Sequence, residues 1–285
     1  MIEMIFLLVL GAVYLALASA QDIKKREVAN WLSFSLIIFG IFYRISYSLW
    51  SEDLNFLIQG LMGTAIFVGL GFAMYYGRFF AGGDAKLIMA LGAIIFVFGT
   101  FAENLISAIT FLAFILIAGA VYGSVFSLVL AIKSRENFKR EFFKLTKAKW
   151  KIIQISWFFA IVSLALAWFL KEEILFLLPL MIFVVPWVYI YAKAVDEGCM
   201  IFPTDVNRLV EGDWLYKDVK ISSGKIIKQN WEGLSSEEIG QLKKSSVKSV
   251  LIRQGIPFVP PIFIAYLVWV YIVIFNPGFL YGLIV

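Results

Sequence analysis

With 285 residues, 61% apolar side chains, 16% charged ones and a mean hydropathy of +0.88, the chain exceeds the roughly 45–50% apolar content of an ordinary soluble domain. It has no histidine and one cysteine, Cys199, which excludes Ser-His and Cys-His nucleophiles, His-liganded zinc and an intrachain disulfide. The net charge of +5 sits in loops beside apolar runs, with no basic stripe on a soluble module, so nucleic acid is excluded as a partner. Chemistry must come from carboxylates, hydroxyls, lysines or a bound metal.

Eight apolar stretches follow in chain order: Ile2 to Ala20, Trp31 to Trp50, Phe56 to Tyr76, Leu87 to Thr100, Leu105 to Ile132, Ile152 to Leu170, Ile174 to Ala192 and Ile256 to Phe275. A bilayer crossing takes about 20 apolar residues, so the fourth is short and the fifth long. Trp31, Trp50, Trp150 and Trp168 stand at stretch ends, where interfacial aromatics belong. The expected fold is an all-α polytopic membrane bundle of about eight spans, six as the lower count, with a small cytoplasmic α+β insert. The expected domains are a helical bundle over 1–192, the insert over 193–254 and a C-terminal transmembrane helix over 255–285.

Loop charge alternates along the chain. Lys24, Lys25 and Arg26 follow the first stretch, and Glu52 and Asp53 the second. Arg78 and Lys86 flank the third loop, and Glu103 marks the fourth. The fifth holds eight basic residues between Lys133 and Lys151, against Glu136 and Glu141. The excess of Lys and Arg in cytoplasmic loops places every odd loop in the cytoplasm and the N-terminus outside. Ala18-Ser19-Ala20 resembles a secretory cleavage site, but the only charge before it is Glu3, and the expectation is a retained span. Between Lys133 and Lys151, Phe138, Phe142, Phe143, Leu145 and Trp150 form an aromatic–apolar stripe, readable as a segment along the inner leaflet or as a solvated linker.

Within the insert, Val219–Ile221 and Lys225–Ile227 read as hairpin strands around Ser222-Ser223-Gly224. Ser235 and Glu238 form a capping box opening a helix toward Lys244, and Val247 to Arg253 alternates as a returning strand.

Two aspartates stand out by position. Asp22 lies past the end of the first stretch, and Asp84 lies in Phe80-Ala81-Gly82-Gly83-Asp84-Ala85-Lys86, at the same face. Two acids in one low-dielectric site share a proton: one takes a proton from water while the other polarises a carbonyl. That chemistry needs no metal and no cofactor. Gly82 and Gly83 would admit a substrate backbone close to Asp84, or allow backbone angles closed to other residues.

These residues also resemble a known family. The run from Ala20 to Leu32, with Asp22, is similar to the first motif of type IV prepilin peptidases, and Gly82-Gly83-Asp84-Ala85-Lys86 to their second, Gly-x-Gly-Asp followed by a lysine. Gly255-Ile256-Pro257-Phe258-Val259-Pro260-Pro261 resembles the archaeal branch that includes preflagellin peptidases. The resemblance implies a cytoplasmic-membrane aspartic endopeptidase with Asp22 and Asp84 as the dyad and Gly82, Gly83 and Lys86 at the substrate. Its partners would be pilin-like or flagellin precursors in the lipid bilayer. Their leaders would have a basic n-region, a small residue before the cut and an apolar stretch after it, with Glu232, Glu237 and Glu238 as candidates to hold the basic region. Ala81 replaces the first glycine of the second motif, and Ala29 stands where a proline is expected. The cysteine motif of many bacterial members is absent, so their N-methyltransferase activity is not implied. The alternative is an ion or solute transporter with Asp22 and Asp84 as coupling carboxylates, which belong near the midplane of repeated halves; no repeat is visible here.

Overall fold

A computed structural model describes residues 2–221 and 225–281. Six helices are long and apolar enough to cross a membrane, and the chain is a multi-pass membrane protein. Its residues divide into two compact units, 1–123 with 256–285, and 124–255. The insert expected over 193–254 lies within the second unit and the expected terminal helix within the first.

The first unit contains α1 (Ile2–Lys25), α2 (Asn30–Ser51), α3 (Asn55–Tyr76), α4 (Gly82–Ile95), the first part of α5 (Phe101–Lys133), α10 (Val259–Phe275) and the short α11 (Pro277–Tyr281). Their side chains bury a continuous core that includes Leu15, Leu36, Phe67, Leu91, Phe111 and Trp269. The fourth apolar stretch is a helix of 14 residues, about 21 Å at 1.5 Å per residue, against a hydrocarbon layer of about 30 Å. Every residue of α4 from Ala90 to Ile95 is buried. In apolar surroundings helices associate through close backbone approach rather than through the hydrophobic effect. Gly92 provides this: a Cβ there would fall 2.5 Å from the Gly63 carbonyl oxygen and 2.6 Å from the Cβ of Phe67 in α3.

A helix that ends inside a bundle leaves carbonyls without partners. At the end of α4 they meet Arg44 of α2, which is fully buried. Its Nε donates to the Ala93 carbonyl at 2.9 Å, Nη1 to Phe56 at 2.8 Å and Nη2 to Phe96 at 2.7 Å. The chain leaving α4 is held by Asn104, whose Oδ1 accepts from the Phe98 amide at 2.8 Å and whose Nδ2 donates to the Phe98 carbonyl and to Gln59. Asn55 adds a bond of 2.7 Å to the Gly99 carbonyl.

The second unit contains the end of α5, α6 (Arg135–Ala148), α7 (Trp150–Leu170), α8 (Leu177–Cys199) and the insert. Helices α7 and α8 pack together, with Ser156 donating to the Ile182 carbonyl, and keep most of their apolar surface outward. The basic segment, readable as a leaflet-bound stretch or a linker, is helical. It is the helix α6, and its Phe138 and Phe142 rings lie 5.6 and 6.4 Å from Tyr191 and Trp187 of α8.

The insert pairs β1 (Ile201–Asp205) and β2 (Trp214–Leu215) on either side of β5 (Ser249–Arg253), all antiparallel. The expected hairpin is present as β3 (Val219–Lys220) and β4 (Ile226–Ile227), with Val219 opposite Ile227; its turn Ser222-Ser223-Gly224 lies outside the described residues. Ser235 and Glu238 form the expected capping box at α9 (Ser236–Lys243). Glu238 is thereby bound to the Ser235 amide and hydroxyl, and Glu237 to Gln241. Lys193, Asp196, Glu197 and Arg253 form ion pairs of 2.9 to 3.6 Å that join the end of α8 to β5, and Tyr216 donates to Glu197 at 2.7 Å.

Candidate active site

Helix α1 ends at Lys25 and the chain turns through Arg26, a left-handed residue with φ 57°. Asp22 therefore sits in the last turn of α1, and it is only 5% exposed. A carboxylate so placed needs donors, and they come from the other end of the sequence. The Val259 amide donates to Asp22 Oδ2 at 2.9 Å, and the Phe258 amide is also directed at this carboxylate. Both belong to the start of α10. The next two residues, Pro260 and Pro261, have no N–H, so the donors at this helix start are those of Phe258 and Val259. A negative charge at a helix N-terminus is also favoured by the aligned peptide dipoles.

Asp84 occupies the first turn of α4, ahead of the apolar stretch that begins at Leu87. Its carboxyl is half-buried, and among the described residues no group donates to it. Burial, with the Asp22 charge acting in the same direction, pushes Asp84 up to about 7. The structure thus brings the two expected acids into electrostatic contact from separate helices, α1 and α4. Tyr122 of α5 is close enough to feel both Asp22 and Arg26.

The remaining expected residues gather at the same end. Lys86 Nζ donates to Asn30 Oδ1 at 2.8 Å, tying the start of α4 to the start of α2. Gln21 Oε1 accepts from the Ala29 amide at 3.1 Å and fixes the turn between α1 and α2. Gly82 and Gly83 are helical, and neither has a positive φ; the expectation of special backbone angles does not hold. A Cβ at Gly83 would come no nearer than 3.6 Å to Val28, and one at Gly82 no nearer than 3.6 Å to Tyr75, which are ordinary contacts. Nothing in the chain's own packing requires glycine here, and a methyl at either position would fit without displacing a neighbour.

The Phe258 ring lies 5.0 Å from that of Phe80, which precedes the Gly-Gly-Asp run. A Cβ at Gly119 of α5 would fall 2.8 Å from the same ring. Phe258 thus links the start of α10 to both neighbours. In the sequence, 255–261 stands out only as a resemblance; the signal that could have found its role is the Phe-Val-Pro-Pro run, a helix start whose second and third residues lack an N–H.

No group of three or more Cys, Asp or Glu side chains suited to a metal ion occurs among the described residues. Chemically the arrangement offers one carboxylate with fixed donors beside one carboxyl that holds its proton to near-neutral pH. Such a pair can deprotonate water and protonate a carbonyl at once.

Residues 9–128 match the type IV leader peptidase family. A preflagellin peptidase of Methanocaldococcus jannaschii is 40% identical over 87 residues, covering 30% of this chain and 37% of that protein. Those of Methanococcus maripaludis and Methanococcus voltae are 33% and 29% identical over 87 and 86 residues, again 30% of this chain. The alignments span little more than a third of these relatives' own length, 36–37%.

Proposed function

We propose that the chain is a member of the type IV leader peptidase family, which its residues 9–128 match, and that it is a membrane aspartic endopeptidase. Its substrates are flagellin or pilin-like precursors, from which it removes a short leader at the cytoplasmic face. The observation that carries this is the placing of Asp22, under the Val259 amide at the end of α1, near enough to Asp84 in the first turn of α4 for their charges to interact.

The reaction follows from that pair. Asp22 takes a proton from a water as its oxygen adds to the scissile carbonyl, while Asp84 donates its proton to the carbonyl oxygen. The tetrahedral diol then collapses: the C–N bond breaks, the departing amine takes a proton from the pair, and the Asp84 proton is restored. Lys86, held by Asn30, keeps the first turn of α4 against α2 while substrate passes Gly82 and Gly83. The bond cut must lie outside a helix, because a helical carbonyl is already hydrogen-bonded.

Orientation is inferred from charge. Lys24, Lys25, Arg26, Arg78 and Lys86 cluster at the aspartate end of the first unit, while Glu52, Asp53 and Glu103 mark its other end. The basic end faces the cytoplasm. A transporter reading finds no support, because both acids sit at one end rather than at mid-depth.

The test is cleavage of a leader-bearing precursor by membranes containing wild type, Asp22→Asn or Asp84→Asn. Each variant loses cleavage by at least about a thousandfold while still inserting, because members of a catalytic unit fail together. Near-normal turnover by either one removes it from the dyad. In a Cys199→Ser background, cysteines at Lys25 and Arg78 are shielded from an impermeant thiol reagent outside and one at Asp53 is labelled; the reverse pattern places the site on the other face.

A further inference from the structure

The two aspartates are held in unlike ways, and the difference originates in a part of the chain that the matched region 9–128 does not reach. Asp22 is buried and receives the Val259 amide at 2.9 Å. Asp84 receives no donor among the described residues. Hydrogen bonds donated to a carboxylate favour its charged form, and an acid without donors in low dielectric keeps its proton. We propose that the start of α10, through the Val259 amide, is a positioning element that fixes Asp22 as the base of the pair and thereby leaves Asp84 as the acid.

The local sequence serves this purpose in three ways. Pro260 and Pro261 remove the two amides that would otherwise spread the donors of the first helical turn, so the Val259 amide, with that of Phe258 before it, is left to Asp22. The Phe258 ring, between Phe80 and Gly119, sets the position of that turn against the second motif and α5. Farther along α10, Tyr266 donates to the Leu8 carbonyl of α1 at 2.9 Å, and Trp269 Nε1 to Ser107 of α5 at 2.9 Å. Helix α10 is thus tied along its length to the helix that bears Asp22, and the Val259 amide cannot drift. The charged or titratable groups facing Asp22 are Asp84 on α4, Tyr122 on α5 and Arg26 on its own chain segment.

The inference rests on the peptidase reading and is tested on the full chain in lipid nanodiscs. Replacing Val259 by 2-hydroxyisovaleric acid during cell-free synthesis turns its N–H into an ester oxygen and leaves the side chain unchanged. The acid limb of the pH–rate profile is expected to move up by about one unit, with kcat about tenfold lower and KM within about twofold. The same replacement at Val268, elsewhere on α10, weakens one helical hydrogen bond and is expected to leave the profile in place. Equal behaviour of the two esters, or a change in KM alone, overturns the proposal. Should the first ester fail to fold, Pro260→Ala with Pro261→Ala supplies the complementary arm: two added donors move the acid limb down, and an unmoved limb overturns the proposal. Asp22→Asn run in parallel separates the two levels, since cleavage by that variant would defeat the peptidase reading itself.

Discussion

The two ends of α4 are built on opposite plans. At its C-terminal end Arg44 binds the Ala93 and Phe96 carbonyls together with that of Phe56 in α3, and Asn104, Gln59 and Asn55 hold the chain that follows. At its N-terminal end Asp84 has no donor among the described residues, and a Cβ on either of the two glycines before it would meet Tyr75 or Val28 only in ordinary contact. The hydrogen-bonded end is an anchor and the unsatisfied end is where a substrate can bind. A helix too short to cross the bilayer can serve this way because its inner end is held by buried hydrogen bonds and not by the far membrane surface. The unpaired acid costs stability, and the anchor offsets that cost.

Removing the anchor tests the comparison most strongly. Arg44→Leu removes the donors of the buried Ala93 and Phe96 carbonyls and the bond to Phe56, and is expected to cost on the order of 4 kcal/mol, read as a loss of thermal stability in detergent. Arg44→Lys, which reaches fewer of them, should cost less. A neutral result would mean that the bonds at the end of α4 are replaceable by lipid or water.

The N-terminal end should behave in the opposite sense. Because Asp84 is raised to about 7 in the folded protein, from a carboxylate's ordinary 3.8, the native state binds the proton more tightly. Its contribution to stability is therefore retained at low pH and falls as pH rises from about 4 to about 7. Asp84→Asn removes the ionisation, and at pH 8 it should be more stable than wild type by on the order of 2 kcal/mol. The gain should vanish below about pH 4. Unchanged stability at pH 8 would mean that Asp84 is solvated as well as any surface acid. The same titration predicts that cleavage declines through about pH 7 as the acid loses its proton.

The smallest effect separates space from backbone. Gly83→Ala meets only ordinary contacts in the chain, and its helical φ is open to alanine. Stability should hold or rise by about 0.5–1 kcal/mol. Turnover of a leader-bearing precursor should fall about tenfold, because the added methyl occupies room needed by substrate. Equal activity would show that substrate passes elsewhere along α4.

Much of this molecule follows from runs and spacings that act locally. Apolar stretches the length of a bilayer become helices whatever surrounds them, because unpaired backbone groups are too costly in hydrocarbon. Ser235 and Glu238 cap α9, and Val219 pairs with Ile227, because those contacts span a few residues. Asp22 and Asp84 were visible as acids beside spans, with the Gly-Gly-Asp run adding a motif. Other features depended on residues far apart in the chain. Arg44 lies in an apolar stretch with no local sign that it would meet Ala93, 49 positions on. The Val259 amide reaches Asp22 across 237 positions, a backbone donor that no side-chain pattern can announce. The stretch from Leu87 promised a span, whereas its helix stops at Ile95, where the chain is hydrogen-bonded by Arg44 of α2 and Asn55 of α3. The sequence alone determined which segments are helices and which acids lie at their ends; only tertiary packing decided which acid has donors, because those donors come from the backbone of a distant helix.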